Sequence, residues 1–84
     1  MMYVKVEMLM ATTATNDHKS SMRAAAKKFT KNEKSIEVSI SKKNDRKITV
    51  TFSMKTTAQY KVVDSIASEF SDYLYDYEDI AISF

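Results

Sequence analysis

Apolar residues recur along this 84-residue chain with a period that changes in the order two, 3.6, two, two, 3.6, two. Side chains alternate faces along a strand and share a face every three or four residues along a helix. The succession therefore predicts strand, helix, strand, strand, helix, strand. Met2, Val4, Val6 and Met8 alternate with Tyr3, Lys5, Glu7 and Leu9 in the first strand. Met10 to Asn16 reads as a polar, threonine-rich connection. Thr15 or Asn16 can cap the helix that follows, with Asp17 well placed at the positive end of its dipole. His18, Met22, Ala25 and Phe29 make that helix's apolar stripe, and Asn32 to Lys34 ends it.

In the second strand Ile36, Val38 and Ile40 face inward, and in the third Ile48, Val50, Phe52 and Met54 do so. Both inward sets are even-numbered, which constrains the hairpin. Pairing Ile40 with Ile48 requires an odd number of loop residues, and Lys43-Asn44-Asp45 is the three-residue loop expected. Asn44 or Asp45 would take the left-handed conformation that glycine usually supplies. Thr56 with Gln59 is a capping-box pattern opening the second helix, with Val62, Val63, Ile66, Phe70, Tyr73, Leu74 and Tyr77 on its buried face. Ile80, Ile82 and Phe84 face inward in the last strand, with Ala81 and Ser83 outward.

Strands with one apolar face each need both helices on that side. Right-handed crossovers then give a four-stranded antiparallel sheet of order 4-1-3-2 under two helices, a single α+β domain over residues 1–84. In topology this βαββαβ arrangement resembles the ferredoxin-like fold across the whole chain, a fold that hosts unrelated functions and so implies little about this one.

Composition removes several classes. Glycine is absent where usual frequencies give about six, and proline is absent as well. Phosphate-cradling loops and the dinucleotide fingerprint both need glycine for a positive φ or a close approach. Without cysteine, and with one histidine, no disulfide, no metal centre and no cofactor site is expected. Lys5 and Glu7 interrupt the first apolar stretch, so no signal peptide is read there. No membrane span is expected, and cytoplasmic residence is the default.

The net charge of +2 hides a segregation. Residues 19–47 hold ten basic and three acidic side chains, a net of +7, and residues 56–84 hold one basic and six acidic, a net of −5. Lys19, Arg23, Lys27 and Lys31 follow at four-residue spacing on the first helix. Arg23 is expected to pair with Glu69 or Asp72 across the helices. Arg23, Lys27 and Lys31, with Lys42, Lys43 and Arg46 at the hairpin tip, form a candidate surface for nucleic acid or an acidic protein. Tyr3 stands where an RNA-recognition motif places a stacking aromatic, but Lys47, Thr49, Thr51 and Ser53 beside it supply no companion. His18 sits in a hydroxyl-rich neighbourhood at a helix start, and the loop lacks the glycines and arginine that acylphosphatases place there. No nucleophile–base pair can be named, so no enzyme is expected. The preferred expectation is a small interaction or regulatory domain that forms a homodimer through its sheet face or edge strands. Tyr3, Thr49, Thr51 and Tyr75 are its candidate interface residues.

Overall fold

The structure, a computed structural model, describes residues 2–55 and 59–84. Its elements are β1 (Met2–Met10), α1 (Asn16–Ala26), a 3-10 turn (Glu33–Ser35), β2 (Glu37–Ile40), β3 (Lys47–Met54), α2 (Gln59–Tyr73) and β4 (Tyr77–Ser83). The strands form one antiparallel sheet of order β2-β3-β1-β4, the order expected. The expected cap at Thr56 lies outside the described residues.

Even-numbered strand residues bury against both helices. Val4, Val6, Met8, Ile48, Val50 and Phe52 join Met22, Ala25 and Ala26 of α1 and Ile66 and Phe70 of α2 in one core. Phe29, Phe52 and Phe70 stack in a triangle with ring centroids 6.3–6.4 Å apart, tying helix layer to sheet. Such contacts add to the area they bury.

The hairpin register is the one read from parity: Ile40 faces Ile48 and Val38 faces Val50. The loop conformation differs. Ser41 N–H donates to the Lys47 carbonyl, so five residues, 42–46, span the turn, and no described residue has a positive φ. The wider loop is held by side chains instead. Ser41 Oγ accepts from the N–H groups of Lys43 and Asn44, and Asn44 Oδ1 accepts from that of Arg46. These local bonds replace the tight left-handed turn.

Four boundaries also move. Met10 is the fully buried last residue of β1, its N–H donated to the Arg46 carbonyl at 2.7 Å, and does not begin a polar loop. α1 stops at Ala26, where Lys28 and Phe29 donate to the carbonyls of Ala25 and Ala26 and tighten the last turn. Phe29 still packs on the core from beyond the helix, but Lys31 leaves the row of four-residue spacing. Tyr77 belongs to β4 and not to the α2 face. The β1–β4 register shifts there, with Leu9 opposite Asp79 and Met10 opposite Tyr77, so Glu78 is skipped and an odd-numbered residue turns to the core side. Its hydroxyl lies 3.0 Å from Ser71 Oγ. Phe84, expected inward, follows the end of β4 and is about half exposed.

Candidate functional site

The open face of the sheet is built in rows set by the three registers. Glu37, Thr51, Lys5 and Ser83 form one row, and Ser39, Thr49, Glu7 and Ala81 the next. Lys47, Leu9 and Asp79 form a third. Tyr3 stands opposite Ser53 at one end and is 66% exposed. It is a diagonal neighbour of Thr51, roughly 7–8 Å away in such a ladder. Ser53, expected to face outward to solvent, is buried because the Glu33–Ser35 turn packs on this end of β3 and Ser35 Oγ accepts the Ser53 N–H.

Charge on this face is balanced. Glu7 meets both Lys5 and Lys47 at 2.8 Å. Its bond to Lys47, and then that to Lys5, holds its carboxyl below the ordinary value of 4.5 against a smaller opposing effect of burial. Two lysines and the carboxylates of Glu7, Glu37 and Asp79 leave the face near neutrality beside segments of +7 and −5.

Tyr75 does not join this surface. It lies on the α2–β4 connection, 86% exposed, beside Asp76, whose carbonyl accepts the Ala11 N–H at the far end of β1. Tyr3 and Tyr75 are thus separated by the length of β1, roughly 25 Å at 3.3 Å per residue.

The basic candidates divide in the same way. Lys42, Lys43 and Arg46 lie at the hairpin tip, while Lys27 and Lys31 lie beyond the other end of β3, roughly 23 Å away at 3.3 Å per residue. Arg46 is 3.6 Å from Glu78, so the basic tip and the acidic connection meet at one end of the molecule. Arg23 turns from α2 and donates to the Ile36 carbonyl at 3.3 Å, in place of the expected pair with Glu69 or Asp72. Lys19 and Arg23 on α1 and Lys27 at its C-cap keep their four-residue spacing, with Lys31 beyond the helix.

His18 has partners its position in the sequence did not reveal. Thr15 caps α1, its side chain accepting the His18 N–H at 3.3 Å, while His18 Nδ1 accepts the Thr15 N–H at 3.0 Å. His18 Nε2 is 3.3 Å from Asp76 Oδ2. A hydroxyl, an imidazole and a carboxylate in that order resemble a nucleophile, base and orienting group. The chemistry differs, because the Nδ1 lone pair that would take the Thr15 proton is occupied by a backbone N–H. With Nδ1 accepting, the ring carries its proton on Nε2, and that N–H donates a hydrogen bond to Asp76 Oδ2. The cluster is a capping box that also ties the start of α1 to the chain before β4. A histidine three residues after a capping threonine is visible in sequence; its partner 58 residues on is not.

Among the described residues no group of His, Asp or Glu side chains is placed to hold a metal, and no helix is long and apolar enough to cross a membrane. No family model, no curated protein and no solved structure matches this chain.

Proposed function

We propose that this chain is a small interaction domain of ferredoxin-like topology that pairs with a second copy through its open sheet face. The strand order and the βαββαβ element order support the topology. One observation carries the pairing. Strands β2, β3 and β4 present short side chains (Ser39, Thr49, Thr51, Ala81, Ser83) and β1 a two-thirds exposed Tyr3 at one end, on a surface where charge nearly cancels. A two-fold contact sets a patch against itself, so a face of strong single sign would repel its copy and a balanced face does not. Tyrosine suits such a contact because it buries a large ring with little loss of freedom.

The edges support pairing less well. β2 has four residues, and at β4 Asp79 Oδ1 takes the Ile80 N–H at 2.9 Å, removing a donor from an added strand. Binding of nucleic acid or an acidic protein is weakened as a reading by the division of the basic side chains between two ends. A non-catalytic role belongs to the same proposal, supported by the occupied Nδ1 of His18. Cytoplasmic residence is also part of it and rests on the sequence alone.

Strands about 4.8 Å apart and six residues long give a face of about 400 Å² per copy, half of a standard interface. A weak dimer follows. Sedimentation equilibrium should show a concentration-dependent exchange of monomer and dimer, weak as fits a contact below the standard size. The equilibrium should be insensitive to salt and should shift to monomer in Thr49→Arg. A monomer at every concentration, or a dimer that survives Thr49→Arg, would overturn the proposal. Dissociation by salt would assign the contact to the charged edges instead.

A further inference from the structure

Beyond the end of β3 far from the hairpin lies a cleft of about 460 Å³ lined by Phe29, Thr30, Lys31, Asn32, Ser53, Met54 and Lys55. We propose that it binds a small aromatic anion, an aromatic body carrying a carboxylate or sulfonate. The site is separate from the pairing face and does not depend on it.

Three properties of the cleft select that chemistry. Its volume falls within the range of small-molecule sites, roughly 300–1,000 Å³. Its apolar lining comes from Phe29 and Met54, and Phe29 is held by near-parallel stacking on Phe52 and Phe70. A ligand ring laid in the cleft would meet a ring edge or face already fixed in position, with a thioether beside it, both favourable contacts for an aromatic body. The ionic side chains among the described lining residues, Lys31 and Lys55, are cations, and both residues are exposed. They come from different segments, one following α1 and one following β3, and so border the cleft from two sides. Lysine stems can cover the ligand's apolar body while the ammonium groups reach its acid.

Neighbouring charge points the same way. Lys27, Lys28 and Lys34 also belong to the segment that leaves α1, with Glu33 the acidic residue among them. Their field would concentrate anions at this end of the molecule. A second cleft, on the open sheet face, lacks this character. Its lysine, Lys47, is already bonded to Glu7, and Asp79 shares the lining.

The test uses 1-anilinonaphthalene-8-sulfonate as the anionic probe and N-phenyl-1-naphthylamine as its uncharged counterpart, with the whole folded chain. Fluorescence titration should give saturable, one-to-one binding of the sulfonate. Lys31→Gln and Lys55→Gln should each weaken it about fivefold, the effect of one ion pair in a well-hydrated site. The uncharged probe should bind about 25-fold more weakly, the two pairs together being about that large. Lys42→Gln at the hairpin and Thr49→Arg on the sheet face should leave the affinity unchanged. Amide chemical shifts on adding the sulfonate should move at residues 29–32 and 53–55. Equal affinity for the two probes, indifference to both lysine changes, or shifts centred elsewhere would overturn the proposal. Circular dichroism of each variant separates lost binding from lost folding. Because Thr49→Arg removes pairing and spares the cleft, the two proposals can fail independently.

Discussion

Replacing Phe70 by leucine isolates the contact on which the two-layer structure most depends. Phe70 is fully buried, and its ring centroid lies 6.4 Å from those of both Phe29 and Phe52, with interplanar angles of 10° and 12°. Alanine would be too severe: truncating a buried phenylalanine costs about 3–5 kcal/mol. A chain this long has about 4–13 kcal/mol of stability at the usual 0.05–0.15 per residue. Leucine keeps most of the apolar volume and removes two ring contacts, each about 0.5–1.5 kcal/mol. The expected loss is about 2 kcal/mol. With a urea m-value of about 1 kcal/mol/M for so small a domain, the midpoint should fall by about 2 M at unchanged slope. Tyr75→Leu is the matched control, since that ring is 86% exposed and its loss should stay within about 0.5 kcal/mol. Far-UV circular dichroism in a urea series reads both. Midpoints within about 0.5 M of one another for wild type and Phe70→Leu, or a larger fall for Tyr75→Leu, would refute the packing.

Glu7→Gln tests the charged row of the sheet face. A carboxyl held below 4.5 when folded makes the unfolded chain bind more protons between the two values, so stability rises with pH there and the gain is complete above 4.5. The variant should match wild type at pH 2 and melt lower at pH 7, by at most about 1 kcal/mol for a partly exposed pair; an equal deficit at both pH values would contradict the pairing. Thr15→Ala should cost about 1 kcal/mol through the lost cap, whereas His18→Gln, which can still return a bond to the Thr15 N–H, should cost less. The reverse order in thermal melts would mean that His18–Asp76 and not the cap holds the end of α1. Asn44→Gly discriminates between hairpin conformations. With no positive φ to relieve, it should destabilise by about 0.5–1.5 kcal/mol through loss of the acceptor for the Arg46 N–H. Stabilisation would reveal a left-handed residue.

Strand order and the β2–β3 register were legible because parity leaves few choices: a slip of one residue would turn Ile40 and Ile48 to water. Sequence alone puts Tyr77 on the α2 face because its spacing of three from Leu74 fits a helix as well as it fits a bulged strand, and only the β1–β4 register separates them. Lys31 was placed on α1 because like-charged spacing persists past the point where the backbone tightens, and no glycine marks that end. Tyr3 and Thr51 were correctly put on one face by alternation, but Tyr75 was joined to them by residue type, which carries no position. Neither the cleft beside Phe29 nor the tie from His18 to Asp76 had a local signature, since each unites segments that meet only when the sheet closes.

The one-sidedness of the sheet is open to direct measurement because the chain contains no cysteine. Single replacements Lys5→Cys, Thr49→Cys and Thr51→Cys, set against Val6→Cys and Val50→Cys, can be labelled with a thiol reagent at concentrations too low for pairing. Expected are rapid modification at the odd positions and protection at Val6 and Val50 that disappears in denaturant. Comparable rates in both sets, or protection of the odd set, would contradict a sheet covered by helices on one face and open on the other.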